Sequence, residues 1–318
     1  MGECVMDFWN TVDEVRITKE KKRSNKITNV DNSVTKGGEY KQKNTKENDV
    51  ELKSETELAP DVVLMTAVED EYIVVCRIFK NVYGEYFQNG FKYRLVNYEI
   101  IDGVNIVIAI FQQNNMGLVS ASMTATYAVN KFKPKLLLMC GVCAGIRERA
   151  NIGDLIIFSP VFDYGCGKYY AGRFLADYRQ HNINGEIRPI VEKMRCDINL
   201  KRQIKDEWGS RVGRPDTELE IRILSGGSGA AVITDESVIE EIKTHQRTLG
   251  AIDMEAYAIA EVASVAMTKE IPWLVVKGVQ DFATPLKDDQ YREYAAFVRG
   301  MFIKKFLEEF YSEKNSDE

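Results

Sequence analysis

The chain has 318 residues, 45% of them hydrophobic, which is enough to bury a sizeable core and excludes a protein that is disordered throughout. Its length allows one large domain or two small ones. The formal net charge of -6 excludes a broadly basic surface of the kind that binds nucleic-acid backbones.

Cysteine usage and the first residues indicate the compartment. The six cysteines are scattered and several lie in apolar runs, a pattern typical of reduced thiols in a cytosolic protein rather than of a disulfide framework. Residues 1–15 lack the uninterrupted apolar stretch of an export signal, and no apolar run is long enough to cross a bilayer. We therefore expect a cytoplasmic protein with no membrane partner.

Residues 1–58 differ in composition from the rest of the chain. Residues 17–58 are rich in Lys, Glu, Asn, Ser and Thr and poor in large apolar residues, so we predict that they are flexible. Apolar residues within 5–15 recur at helical spacing, which predicts a short amphipathic helix able to dock on a protein partner. A frayed terminus explains the same residues equally well. Residues 59–318 are predicted to form one folded domain.

From Asp61 onward, short apolar runs alternate with helical periodicity. The pattern predicts strands at 62–65, 93–98, 104–111, 136–139, 154–159, 221–224 and 273–279. Helices are predicted to begin at Glu69, Gly117, Ile187, Glu236, Asp253 and Asp289. Such alternation is typical of a layered α/β domain with helices on both faces of a sheet. The segment 165–217 is its least periodic part, with one helix predicted between residues 187 and 208.

Two acidic positions in the last third of the chain carry the strongest chemical signal. Asp253-Met254-Glu255 opens a predicted apolar helix, and Asp281 follows the last predicted strand. Ligands of α/β sheets gather at the carboxyl ends of the strands. Two carboxylates held there, one for a polar substrate edge and one for proton transfer, suit the cleavage of a glycosidic bond.

This pairing resembles the nucleoside phosphorylase/nucleosidase family, the purine nucleoside phosphorylase-like superfamily. The resemblance implies a three-layer α/β/α fold with a central mixed sheet. It also implies that Glu255 binds the ribose 2′- and 3′-hydroxyls, that Met254 packs under the sugar, and that Asp281 protonates N7 of the leaving purine. Gln280 stands where the family usually has serine and can bond Asp281 or the purine edge. Phe282, on the other side of Asp281, is also assigned to substrate binding.

A second stretch, Ala67-Val68-Glu69-Asp70-Glu71, resembles the opening acidic segment of the methylthioadenosine/S-adenosylhomocysteine nucleosidases. The resemblance implies that Glu71 activates the attacking water, with Glu69 as the register alternative. Taken alone, acidic residues at the start of a helix also complement the helix dipole.

The sequence from Cys140 to Gly145 is predicted to be a turn of small residues after a buried strand, where the backbone can approach a ligand closely. By resemblance, Gly141, Val142 and Cys143 border the ribose. Phosphorylases of the superfamily usually carry an arginine just before this turn, and its absence favours water over phosphate as the nucleophile. A redox pair of Cys140 with Cys143, or a zinc site, is an alternative that lacks the expected helix start and ligand pattern.

A glycine-rich segment, residues 225–233, is predicted to be a loop between a strand and a helix. It has neither the P-loop lysine nor dinucleotide-binding spacing. It resembles the Ser-Gly-Asp-Ala-Phe segment that covers the purine in the family, which implies that Val232 and Ile233 line the base. The aromatic residue of that family segment is missing here.

Residues 283–296 resemble the tail of a branch of the superfamily that is often fused to signalling or immune modules, including bacterial antiphage effectors that remove adenine from nucleotides. In such a protein Lys287, with Arg173 or Arg179, could meet a 5′-phosphate. Solvated surface charges are the commoner role for residues of this kind.

Together these motifs favour a purine N-ribohydrolase, in particular one that releases adenine from a nucleoside or nucleotide, with no metal, organic cofactor or nucleic-acid partner. The family implies a homo-oligomer in which a neighbouring subunit closes the 5′ pocket. Three alternatives stay open. They are a phosphate-dependent phosphorylase, a partner-gated antiphage effector that cleaves ATP-type nucleotides, and a nucleotide-binding module without turnover.

Overall fold

The computed structural model describes residues 58–100, 103–265, 269–284 and 289–316. Residues 1–57 lie outside the described residues, and so do the predictions of a helix at 5–15 and of a flexible segment up to residue 57. Lys287 also lies outside them. The strands are β1 Val62–Thr66, β2 Val82–Gln88, β3 Phe91–Glu99, β4 Asn105–Gln112, β5 Leu136–Gly145, β6 Leu155–Asp163, β7 Gly167–Tyr170, β8 Arg173–Ala176, β9 Gln180–His181, β10 Ile221–Ser228, β11 Leu249–Asp253 and β12 Trp273–Asp281. The helices are α1 Glu69–Ile78, α2 Leu118–Phe132, α3 Ile187–Cys196, α4 Ile198–Trp208, α5 Glu236–His245, α6 Ala256–Val265 and α7 Arg292–Ser316, the last preceded by a 3-10 turn at Asp289–Tyr291.

A mixed sheet forms the centre of the described domain, in the order β11-β10-β6-β12-β5-β1-β4-β3-β2. Strands β1, β4, β5 and β12 are parallel to one another, whereas β6 and β12 pair antiparallel. An additional antiparallel pairing of β11 with β5 closes five of the strands into a ring. The predicted three-layer α/β/α fold with a central mixed sheet is confirmed.

Two groups of helices flank this sheet. Helices α1, α3 and α4 pack around α7, whereas α2 packs against α6. Both α6 and α7 contact β5 and β12, whose apolar side chains from Leu136 to Met139 and from Trp273 to Val276 are fully buried. Because every face of these two strands is covered, they read in the sequence as continuous apolar runs rather than as an alternation. Of the described helices, none combines the length and apolarity needed to cross a membrane.

Several local predictions were wrong for physical reasons that the sequence does not display. The predicted turn at Cys140–Gly145 is the second half of β5, and the predicted loop at residues 225–228 is the end of β10. The small residues in both stretches leave space for side chains of neighbouring elements, and they do not form a turn. A Cβ atom on Gly226, for example, would overlap the ring of Phe158.

Other differences concern element ends. The single helix predicted between residues 187 and 208 is two helices, because the Asp197 side chain accepts hydrogen bonds from the N–H groups of Asn199 and Leu200 and begins a new helix. The helix predicted to begin at Asp253 begins at Ala256, since Asp253 ends strand β11, which had not been predicted. Strands β2 and β7–β9 were also missed.

Candidate functional site

Glu71 lies in the first turn of α1, and its side chain is turned inward so that the residue is only 3% exposed. Its Oε2 accepts hydrogen bonds from the N–H groups of Ala67 at 2.9 Å and Val68 at 3.4 Å. Its Oε1 accepts from the N–H of Val142 on β5 at 3.0 Å. The carboxylate is therefore fixed between the carboxyl end of β1 and the middle of β5. The register alternative, Glu69, is exposed.

Lys277, on β12, is the centre of a buried charge cluster that sequence reasoning missed. Its side chain is 1% exposed, and its Nζ lies 2.8 Å from Asp253 Oδ2 and 3.2 Å from Glu255 Oε2. Burial by itself would lower the pKa of Lys277, but the facing carboxylates of Asp253 and Glu255 raise it above its ordinary value. The ammonium therefore stays charged. The available signal was a lysine in the middle of an apolar strand, Val275-Val276-Lys277.

Glu255 is 4% exposed and is held at both oxygens. Its Oε1 accepts a hydrogen bond from the N–H of Gly117 at 3.0 Å, and its Oε2 faces Lys277. Burial raises the pKa of Glu255, the neighbouring ammonium opposes this, and the net direction is upward. Met254 is half-buried, and its methyl group lies 4.0 Å from the position that a Cβ atom on Gly117 would occupy. Met254 and Glu255 thus border the same turn before α2.

Asp253, also missed as a functional residue, ties the cluster to the sheet. Its Oδ1 accepts a hydrogen bond from Ser228 Oγ at 2.6 Å, and its carboxylate caps α6 by accepting from the N–H of Ala256. Ser228 Oγ in turn accepts from the N–H of Tyr257 at 2.9 Å. The ends of β10 and β11 and the start of α6 therefore fix the position of the carboxylate that faces Lys277.

Gly141 lies directly beneath the cluster. A Cβ atom at this position would come within 2.8 Å of Lys277 Nζ and 3.3 Å of Glu71 Oε1. The absence of a side chain on β5 is what lets an ammonium from β12 and a carboxylate from α1 approach the same point of the backbone. Three elements, α1, β5 and β12, and the turn between β11 and α6 thus bring together Glu71, Gly141, Val142, Lys277 and Glu255.

The cysteines of β5 are buried and structural. Cys140 and Cys143 are three residues apart in an extended strand, so their side chains leave opposite faces and cannot pair. Burial raises the pKa of Cys140 to about 11 and that of Cys143 well above its ordinary value, which keeps both thiols protonated. Within the described part of the chain, no group of three or more His, Cys, Asp or Glu side chains is arranged to hold a metal ion.

Asp281 ends β12, four residues beyond Lys277, and it lies roughly 10 Å further along the sheet because an irregularity between Val279 and Asp281 makes these four residues match three of β5. Its Oδ1 accepts a hydrogen bond from the N–H of Ala283 at 2.8 Å, and the side chain is partly exposed. Phe282 stacks under the guanidinium of Arg147, whose Cζ lies 4.4 Å from the ring centroid. Asp281 and its half-buried neighbours Gln280 and Phe282 thus lie at the more exposed end of β12, beyond the buried Lys277 cluster.

The glycine-rich segment packs near the same end of β12. Ile233 packs against the apolar cluster that contains Ala283, whereas Val232 is 51% exposed. An aromatic side chain from just after β6 contacts this segment. The ring of Tyr164 lies against Gly229, and its hydroxyl donates to the carbonyl of Ala231 at 3.2 Å. The predicted phosphate contacts Arg173 and Arg179 are exposed.

The fold and the site define a class of protein, an α/β domain in which a mixed sheet holds a buried carboxylate–ammonium cluster beside the carboxyl end of β1 and the middle of β5 and β12. A family model described as "Phosphorylase superfamily" matches residues 61–307, so the chain belongs to the phosphorylase superfamily.

Individual relatives show how far the similarity extends. The chain is 33% identical over 201 residues to the uncharacterized protein y4jS of Sinorhizobium fredii, which covers 62% of this chain and 48% of that protein. It is 24% identical over 269 residues to the ATP nucleosidase Cap17 of Escherichia coli, covering 78% of this chain and 51% of that one. The chain thus spans about half the length of these two relatives.

A solved structure shares the fold. The 5′-methylthioadenosine/S-adenosylhomocysteine nucleosidase of Helicobacter pylori superposes with a TM-score of 0.61 at 15% identity, over 79% of this chain and 99% of that one.

Proposed function

We propose that this chain is an N-ribohydrolase that releases a purine base, adenine in particular, from a nucleoside or nucleotide. The observation that carries the proposal is the convergence of Glu71, Glu255 and Lys277 near Gly141, with Asp281 at the end of the strand that carries Lys277. The nucleosidases among the similar proteins support the same reaction class. We further propose that residues 59–318 form the catalytic unit and that it acts in the cytoplasm, in keeping with its free buried thiols.

The proposed roles follow from the positions of the groups. Glu71 orients a water molecule, Glu255 holds the ribose hydroxyls, and Asp281 gives a proton to N7 of the leaving base. Lys277 opposes the effect of burial on the Glu255 carboxylate and holds it in position. Cleavage develops positive charge on the ribose, and preorganised negative charge beneath it stabilises that state.

The charge balance favours water over phosphate. The cluster contains the carboxylates of Glu71, Asp253 and Glu255 but only two cations, Lys277 and Arg299, both of which have carboxylate partners. No positive charge is left over in it for a phosphate dianion, whereas a neutral water needs none.

The substrate and the nucleophile are tested together. We expect free base from adenosine, methylthioadenosine, inosine, AMP or ATP without added phosphate, resolved by liquid chromatography. Release that requires phosphate would make the protein a phosphorylase. Tight ligand binding without any release would make it a nucleotide-binding module.

A second candidate is cleavage of ATP-type nucleotides under the control of a protein partner. It is favoured by the similarity to the ATP nucleosidase Cap17 over 78% of this chain. In the same substrate panel it predicts release of adenine from ATP in preference to adenosine. Equal turnover with and without the partner would contradict the gating.

We also propose a homo-oligomer. Val119 and Met123 lie one turn apart on the same face of α2 and are 75% and 60% exposed, and Met116, just before the helix, is 55% exposed. Exposed apolar patches of this kind mark protein–protein interfaces. The patch adjoins Gly117, which bonds Glu255, so a second subunit placed there would border the site.

A further inference from the structure

Arg299 is a buried cation that the roles proposed above leave without a task. It lies on α7, is 1% exposed and is one of the largest fully buried side chains. Its Nε, Nη1 and Nη2 have no hydrogen-bond partner among the residues that the structure describes. Burying a guanidinium with unfilled donors costs free energy unless a nearby negative charge compensates.

The compensating charge is Glu71. Arg299 Nη2 lies 3.7 Å from Glu71 Oε1, the oxygen that also accepts from the N–H of Val142. The thiol of Cys140 is a second neighbour of Arg299, but burial raises its pKa to about 11, so it brings no charge. Of the other charged groups around Glu71, Lys277 is committed to Asp253 and Glu255.

We propose that Arg299 is a positioning residue, which holds the Glu71 carboxylate in place against β5 so that it can orient water. The catalytic part of this inference rests on the proposed function, whereas the ion pair does not. A purely structural role explains the arrangement poorly, because a well-packed apolar side chain at such a place is often neutral or stabilising. A fold that nonetheless buries an arginine against a site carboxylate is typical of function maintained at the expense of stability.

The test is a comparison of kcat and KM for base release by Arg299→Met with those of the wild type. A shift of about 1 Å in a catalytic group can cost roughly 100-fold in rate, so kcat should fall by about 10-fold or more when the Glu71 carboxylate is no longer held in place. KM should change little, because Arg299 touches no substrate. Arg299→Lys, which keeps the charge, should recover much of the lost kcat.

An unchanged kcat in Arg299→Met would overturn the proposal. If that variant does not fold, Arg299→Gln, also neutral, serves in its place with the same two outcomes. The control is Glu308→Gln, a buried charge on the same helix that bonds Tyr98 and Lys305 instead of Glu71. It should lower the melting temperature and leave kcat and KM unchanged.

A double-mutant cycle on thermal unfolding separates this inference from the proposed function. Without substrate, Glu71→Gln and Arg299→Met should be non-additive, since each removes the partner of the other. If the two substitutions are non-additive but the protein releases no base, the ion pair is supported and the proposed function is rejected. If they are additive and the protein releases base, the role of Arg299 is rejected and the proposed function is supported.

Discussion

Lys277 shows at the residue scale how much a single buried charge can organise. Its ammonium faces two carboxylates that come from the junction of β11 and α6, and all three groups are nearly inaccessible to water. Such a cluster is stable only as a set, because removal of one partner leaves the others as uncompensated buried charges.

We expect Lys277→Met to lower the free energy of unfolding by about 3–5 kcal/mol at neutral pH. The pKa of Glu255 is already raised by burial and will rise further without the ammonium. Because the raised pKa favours the protonated carboxyl group in the folded protein, the loss of unfolding free energy in the variant should become smaller as the pH falls through that pKa. Denaturant unfolding of the variant and of the wild type at pH 5 and pH 8 measures this loss.

The comparison variant is Lys201→Met, which removes a partly exposed ion pair with Glu220 at 2.7 Å. Such pairs contribute about 1 kcal/mol or less, so this variant should be affected far less. A Lys277 variant that is as stable as the Lys201 variant at both pH values would contradict the cluster's role in the fold.

Asp281 is the residue on which the proposed chemistry depends most directly. Asp281→Asn keeps an oxygen to accept the hydrogen bond from Ala283, so the fold should be unchanged, but the side chain loses its acidic proton. We expect base release to fall by about 100-fold or more, as for loss of a general acid. Asp235→Asn is a matched control, since Asp235 accepts from the N–H two residues ahead in the same way and lies on the surface. Near-wild-type turnover by Asp281→Asn would reject the proposed acid.

At the scale of the element, β5 can pass beneath the charged cluster because Gly141 has no side chain. Gly141 leaves the space that Lys277 and Glu71 occupy, and Val142 offers its N–H to Glu71. A strand with ordinary side chains at these positions would keep the charged groups of α1 and β12 apart.

Gly141→Ala should therefore damage activity more than stability. The added methyl group would push the ends of two side chains aside, and a shift of about 1 Å in a catalytic group can cost roughly 100-fold in rate. Gly226→Ala is the opposite case, because its methyl group would meet the ring of Phe158 in the core and should destabilise the fold by about 1–3 kcal/mol. Assays of both variants for melting temperature and base release test the contrast. Equal activity of Gly141→Ala and wild type would show that β5 tolerates a side chain at this position.

At the scale of the whole molecule, the exposed patch of Met116, Val119 and Met123 predicts self-association. Sedimentation should give a mass above the 36.2 kDa of a single chain. Replacing Val119 and Met123 by glutamate should yield a monomer with reduced base release, because the patch adjoins the turn that holds Glu255. Val212→Glu, at a 92% exposed position elsewhere, should leave the mass unchanged. A wild-type protein that sediments as a monomer would contradict the prediction.

The sequence by itself determined the alternation of strands and helices and the mixed α/β fold, because buried strands and amphipathic helices leave periodic apolar patterns. The resemblance of local motifs to the family also led to Glu71, Glu255 and Asp281 as candidate site residues, and their roles stay predictions. Only the tertiary structure decided that the small residues of β5 and β10 are strands rather than turns, because that depends on which side chains pack over them. The same holds for Lys277 and Arg299. Each is one charge in an apolar stretch, and its partners lie on elements that only the closed sheet and the packing of α7 bring within reach.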